Sequence, residues 1–475
     1  MDLTPATKLP SAGTIVLGAV IAIVLIAVLA LVIRRRADAF PLLAIFALPF
    51  RVPISADGRT VNLLVPLYLV VAAGTLVHLL PRLAGGGTGS GTRPADDGEA
   101  RPALRRLSSW ASPRGLEWLL LGAVVLYALQ GTYSSDHARA AENIAFFYVP
   151  FGLLFLILRD VAWTRELLLR CLGVTVVLAV LFAGVGFVEY FRKSLFLNPK
   201  VVAADQYDNY FRVNSVFFDP SIYGRFLALV MIAVSTVVLW TRRRRDALIG
   251  AAVLAWLLAG MITSFSQSSI VALLLGLAVL AAMRWSVRWT LYVSVSLVAL
   301  AGVVVLAAPK SLHFGLKGSG GSTSNATSGR TTLVSGGLEL FAKRPLEGYG
   351  SGSFEVEYKR NSRADAESAT SASHTIPVTV AAEQGILGLI VYLALLIVAF
   401  VVLFRGAGRS PPRIALAACF AALVLHTWTY ADFLEDPFTW ALLAVGVALA
   451  RGSAFREARA RAPSYSPVGA GHHGE

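Results

Sequence analysis

Apolar residues fall along this chain in blocks of similar length. They run at roughly 15–33, 39–56, 61–80, 117–134, 141–158, 167–190, 219–240, 247–264, 268–283, 289–308, 377–404, 414–430 and 438–450. Most are close to the ~20 apolar residues that cross a bilayer as a helix. The pattern predicts an all-α, polytopic transmembrane helix bundle of about 12–13 spans. The least regular blocks are the second, which contains Pro41, Pro49 and Pro53, and the short last one.

Charge placement orders these spans. Arginine clusters stand at 34–36, 242–245, 283–289 and 404–413, in the segment 81–116, and in the tail from 451. Cytoplasmic loops are enriched in Arg and Lys. With an external N-terminus and thirteen crossings, every cluster falls inside. Lys8 before the first block and Arg34–Arg36 after it favour a retained first helix over a cleaved signal. The chain of 475 residues is 56% hydrophobic with a mean hydropathy of +0.67, more apolar surface than a soluble fold hides. Its net charge of +14 then reads as membrane topology rather than as a nucleic-acid surface. The two cysteines, Cys171 and Cys419, make neither a disulfide framework nor a zinc set. No Walker or dinucleotide motif is present, so nothing suggests an ATP-driven pump.

The expected organisation is an N-terminal transmembrane bundle, 1–308, interrupted by a disordered cytoplasmic linker at 81–116. An external loop at 309–376 follows, then transmembrane helices at 377–450 and a basic cytoplasmic tail at 451–475. The linker is rich in Gly, Pro and Ser. Besides 309–376, the segment 191–218 is also external and too long for a mere turn.

These two segments carry the candidate chemistry. In the longer one, "GSGGSTSNATSG" (318–329) predicts a flexible lead-in. An amphipathic helix is expected from Arg330, with Leu333, Leu338 and Phe341 on its apolar face and Pro345 at its end. Gly348, Gly350 and Gly352 alternate, which suits either backbone N–H groups turned toward an anion or a plain flexible turn. His374 stands just before a helix opened by Pro377. The positive end of a helix dipole disfavours imidazolium, so His374 is either a neutral base or an interfacial ring without chemistry. Arg212 and Arg330 could each bind phosphate in a bidentate fork or meet water and lipid headgroups. Glu383 lies inside an apolar helix, where an ionisable group has a structural partner or relays protons. The turn "TYADFLEDPF" holds Asp432, Glu435 and Asp436, a solvated turn or a weak cation site.

Four stretches together resemble the O-antigen ligase and polymerase family, membrane glycosyltransferases of the GT-C type. They are "RVNSVFFDPSIYGRFLALVM" (212–231), "AWLLAGMITSFSQSSIVALLLGL" (255–277), "GRTTLVSGGLELFAKRPLEGYGSGSF" (329–354) and "SHTIPVTVAAEQGILGLIVYL" (373–393). The resemblance implies a multi-pass protein of the cytoplasmic (inner) membrane with its active site on the external side. It implies an undecaprenyl-diphosphate-linked oligosaccharide as donor and a glycan, lipid or protein hydroxyl as acceptor. Neither a metal nor a cofactor is implied. Carried over, Arg212 and Arg330 would hold the diphosphate and His374 would activate the acceptor, with Glu383, Gly350 and Gly352 in support. Thr375 stands where the family commonly has Asn, and "SFSQSS" at 264–269 lacks the usual arginine. The competing expectation is a secondary transporter or flippase of envelope precursors, for which Glu383 is the one leaning feature. Cell-wall polymerases that depend on an external carboxylate are a third, with Asp205, Asp208 and Asp219 as the available acids.

Overall fold

A computed structural model describes residues 12–56, 59–84, 111–196, 211–296, 323–362 and 375–461. Helices dominate it: α1 (Ala12–Arg35), α2 (Ala39–Ala47), α3 (Val65–Gly74), α4 (Pro113–Gly131), α5 (His137–Asn143), α6 (Val149–Leu158), α7 (Arg165–Arg192), α8 (Pro220–Trp240), α9 (Arg244–Thr263), α10 (Gln267–Arg284), α11 (Thr323–Lys343), α12 (Phe354–Ser362), α13 (Ile376–Phe404), α14 (Pro411–Thr429) and α15 (Pro437–Arg461). Residues 287–296 are helical as well. Among the described residues, nine helices are long and apolar enough to cross a membrane, and a shorter apolar helix covers Pro437–Gly452.

Nine of the thirteen expected spans coincide with these helices. The block at 39–56 does not form a continuous helix. Its helix stops at Ala47, ahead of Pro49 and Pro53, because proline cannot donate into a helix and disfavours helical backbone before it. The chain continues extended into β1 (Val52–Ala56), which pairs antiparallel with β2 (Arg59–Leu63) in the register Val52↔Leu63 to Ala56↔Arg59. The expected linker is also shorter than 81–116, since helix persists to Ala84 and α4 starts at Pro113.

The core is built around α8 and α14. Buried residues run along α8 from Pro220 to Thr236, and α9, α10 and α14 pack on it. By contrast, α1 exposes Val16, Leu17, Ile23 and Val28. A helix that is apolar all round yet uncovered by protein is covered by lipid.

Ion pairs gather at one end of the bundle. Arg82 meets Asp160 at 2.5 Å, Arg159 meets Glu117 at 2.8 Å and Arg170 meets Asp38 at 2.9 Å, while Arg451 joins Glu117. All come from segments expected on the cytoplasmic side or at its edge. Segments expected on the other side likewise bond among themselves, and their meeting point is the candidate site.

Candidate functional site

The loop between α11 and α12 docks on a break in α13. Gly385 has φ 64 and ψ −162 inside that helix, a conformation open essentially to glycine alone. The break exposes backbone groups that must find partners. Ile386 N–H donates to Pro345 O at 2.7 Å. Gly350 N–H donates to Glu383 O at 2.8 Å, and Tyr349 N–H to Ala382 O at 3.3 Å. Gln130 Nε2, from α4, donates to Gln384 O at 3.1 Å. The side chain of Glu383 closes the joint: it accepts Gly352 N–H at 2.8 Å and Phe354 N–H at 3.1 Å.

Both expectations for the glycines and for Glu383 therefore resolve together. The glycine loop does turn its N–H groups toward an acidic side chain, that of Glu383. The loop is no plain flexible turn. Gly348, Gly350 and Gly352 all have positive φ. A Cβ on Gly348 would lie 2.3 Å from Glu383 O, and one on Gly350 would lie 2.3 Å from Ser134 Cα. The turn after α4 holds the other side of the loop, with Ser134 Oγ on Ser351 O at 2.8 Å and Tyr133 Oη on Glu347 O at 2.8 Å.

Helix α11 begins earlier than expected, at Thr323, because the glycines that oppose helix cluster at 318–321, ahead of it. Its buried face is Leu333, Gly337 and Leu340, which with Phe354, Tyr358 and Ala382 form a small separate core. Leu338, expected on that face, points away and is 51% exposed.

Beside this joint lies a polar cavity with about 90 Å³ of enclosed room. Tyr127, Arg139, Asn143, Tyr148, Glu383 and Glu435 contribute to its wall. Asn143 ends α5, where a π-helical turn (Ile144–Tyr148) interrupts the helix before α6. Such turns re-aim side chains and recur at functional sites. Asn143 Nδ2 donates to Tyr127 Oη at 2.8 Å and to Glu435 Oε1 at 3.0 Å. Arg139 pairs with Glu142 at 3.5 Å. Glu435 keeps some surface open to the cavity but is hemmed in by protein. Burial pushes its carboxyl up, to about 7, and the charge of Asp432 adds to the rise, against the pull of Arg139 and Arg51.

The outer turn was expected to be solvated and is instead tied down. Asp436 pairs with Arg225 of α8 at 2.7 Å, with side chains 1% and 2% exposed. Arg225 also donates to Ala431 O at 3.3 Å. Glu435 and Asp436 thus face different partners. Among the described residues, no group of three or more His, Cys, Asp or Glu is placed to hold a metal ion.

A separate polar cluster is built from residues 211–219 and the break between α9 and α10. Val213 N–H donates to Thr263 O at 3.2 Å, and Arg212 Nε to Ser264 O at 3.3 Å. Glu189 of α7 anchors the same segment by accepting Ser215 N–H at 2.7 Å. The "SFSQSS" stretch forms a buried hydroxyl cluster in which Ser268 and Ser269 lie 3.3 and 3.2 Å from His426 Nε2. Ser215, Phe265 and Asp432 are non-glycine residues with positive φ. Such strain costs on the order of 1–3 kcal/mol per residue and collects at functional sites. All three lie in segments expected on the same side.

Of the residues expected to act, Glu383, Gly350 and Gly352 are brought into one joint, and Arg212 belongs to the separate cluster beside the break between α9 and α10. Arg330 lies on α11, with its side chain outside the described residues. His374 is outside them as well. Thr375, next in sequence, is the N-cap of α13. The sequence reading missed Asn143, Arg139, Glu189 and Arg225, and took Glu435 only as part of a solvated turn or a weak cation site. The reasoning that singled out Glu383, an ionisable group in an apolar run, applies equally to Glu189 and Arg225. Asn143 carried no such signal, because only the π-helical turn aims it.

Residues 252–393, from within α9 to within α13, match the family model described as O-antigen ligase. The matched stretch contains the hydroxyl cluster, α11, the glycine loop and the break at Gly385. No curated protein matches the chain.

Proposed function

We propose, from the premise that this multi-pass membrane protein is O-antigen ligase/polymerase-like and of the glycosyltransferase type, that it transfers a glycan from an undecaprenyl-diphosphate-linked donor to an acceptor hydroxyl. The reaction takes place at the external face of the cytoplasmic membrane. Attack on the anomeric carbon needs a base for the acceptor hydroxyl and positive charge for the departing diphosphate. His374 is the base, and Arg212 and Arg330 are the diphosphate ligands.

The observation that carries this reading is the joint between the glycine loop and α13. It fixes the end of α11, which bears Arg330, against the first turns of α13, which follow His374 directly. Glu383 is a positioning residue there, with Gly350 and Gly352. Both carboxyl oxygens of Glu383 are engaged by backbone N–H groups of the loop, which gives this ionisable group a structural partner. Whether the acceptor is a growing repeat-unit chain, a lipid anchor or a protein decides between polymerase and ligase.

The test is reconstitution in vesicles with a diphosphate-linked oligosaccharide donor. His374→Ala is expected to abolish transfer while donor binding persists, and Arg330→Ala to weaken donor binding. Undiminished transfer by His374→Ala overturns the assignment.

A further inference from the structure

Asn143 carries an unmet demand. Its side chain is 3% exposed. One end of the amide, Nδ2, makes both of its contacts, to Tyr127 and to Glu435. Oδ1 has no partner among the described residues. A buried amide oxygen left unpaired keeps its full desolvation cost. Asn143 is also one of the residues that line the cavity.

The rest of the wall defines what a donor to Oδ1 belongs to. Glu435 and Asp432 offer acceptors, Arg139 offers donors, and Tyr127 and Tyr148 offer ring faces or edges. Phosphate suits this set badly, since acidic groups outnumber Arg139. A simple hydrocarbon would leave Asn143 Oδ1 unpaired. A sugar ring meets all the requirements: each hydroxyl both donates and accepts, the molecule is neutral, and its C–H faces pack on aromatic rings. Ile376 and Thr379 line the same cavity, two and five residues after His374 in sequence.

We infer that the Asn143–Glu435 cavity is a subsite for one neutral sugar ring of the glycan substrates, with Asn143 Oδ1 and the Glu435 carboxyl reading its hydroxyls. This rests on the glycosyltransferase reading and names part of its specificity. The ring belongs either to the donor glycan or to the acceptor, and the chemistry of recognition is the same for both.

Two measurements on the full-length protein in lipid nanodiscs test it. The first is saturation-transfer NMR with a panel of neutral hexoses and N-acetylhexosamines, plus glucosamine as an amine. At least one neutral sugar is expected to bind the wild type and to bind Asn143→Ala and Glu435→Gln about tenfold or more weaker, the loss of one good hydrogen bond. Asn143→Leu, which is similar in size and offers no acceptor, serves if the alanine variant does not fold. The second is the transfer assay, in which the same variants raise KM for either donor or acceptor and discriminate less against substrates lacking single hydroxyls. Which KM rises identifies the source of the ring. Folded variants with unchanged sugar binding, or a preference for glucosamine over its acetylated form, overturn the subsite. A wild type that binds the sugar yet transfers no glycan overturns the proposed function and leaves the subsite standing.

Discussion

The carboxylate of Glu383 accepts the backbone N–H of Gly352 at 2.8 Å, across 31 residues of sequence. One oxygen of an apolar helix thereby fixes a loop that would otherwise have to find its own fold. The second oxygen does the same for Phe354 at 3.1 Å, the first residue of α12. A helix N-terminus and a buried carboxylate satisfy each other.

Removing that clamp should loosen the loop. Hydrogen bonds to a charged group contribute about 1.5–3 kcal/mol each. Glu383→Ala is therefore expected to destabilise the protein by roughly 3–5 kcal/mol. Glu383→Gln keeps one acceptor but turns an N–H₂ toward a second N–H, and should fall between alanine and wild type. Thermal unfolding in detergent measures both. An alanine variant that melts with the wild type would falsify the clamp.

The glycines of the joint should differ sharply in tolerance. Alanine at Gly348, Gly350 or Gly385 combines positive φ with a Cβ placed 2.2–2.3 Å from backbone atoms. These variants are expected to lose folded protein at expression temperature. Gly352→Ala meets its nearest atom at 3.1 Å and should be milder. Gly122, on α4, has nothing within 4 Å, and its alanine variant should stay within about 1 kcal/mol of wild type. Fluorescence-detected size exclusion of tagged variants ranks the series.

The pair Arg225–Asp436 allows a double-mutant cycle. Breaking a buried ion pair from one side leaves an uncompensated charge and costs about 3–5 kcal/mol. Asp436→Ala alone should be severe, and Arg225→Met alone comparably so. The double variant should cost clearly less than their sum, because neither charge remains. Additive losses would show that the two side chains act independently, and the turn bearing Glu435 would then need another anchor.

How much of this was legible beforehand follows from what each feature depends on. Spans are written as long apolar runs, because a bilayer leaves few alternatives, and nine emerged where expected. The hairpin was passed over although Asp57-Gly58 between Ile54 and Val61 is a two-residue turn signal; the surrounding apolar block masked it. Glu383 announced itself by its apolar neighbours, but its partner did not, since backbone N–H groups leave no trace in sequence. Asn143 was invisible for a different reason. One π-helical turn decides where it points, and no residue type marks that turn. The cavity draws its wall from α4, α5, α13 and the turn before α15, among others, so its composition exists only after folding.

Glu435 should make stability depend on pH in the direction opposite to an ordinary salt-bridged acid. Burial and Asp432 raise its carboxyl to about 7, above the usual carboxylate range, and Glu142 adds to the rise. Arg139 and Arg51 oppose it, and Asn143 donates to it without titrating. Between the ordinary range and about 7 the folded protein holds a proton that the unfolded chain has released. Stability rises with pH only where the unfolded state binds more protons. Here the native state binds more, so the contribution of Glu435 is complete below the ordinary carboxylate range and is lost as pH rises through about 7. Glu435→Gln keeps the shape and cannot ionise. Its unfolding temperature should lose part of the decline between pH 5 and pH 8 and should match or exceed wild type at the alkaline end. Parallel curves for the two proteins would mean that Glu435 is ionised throughout, with Arg139 outweighing both burial and Asp432.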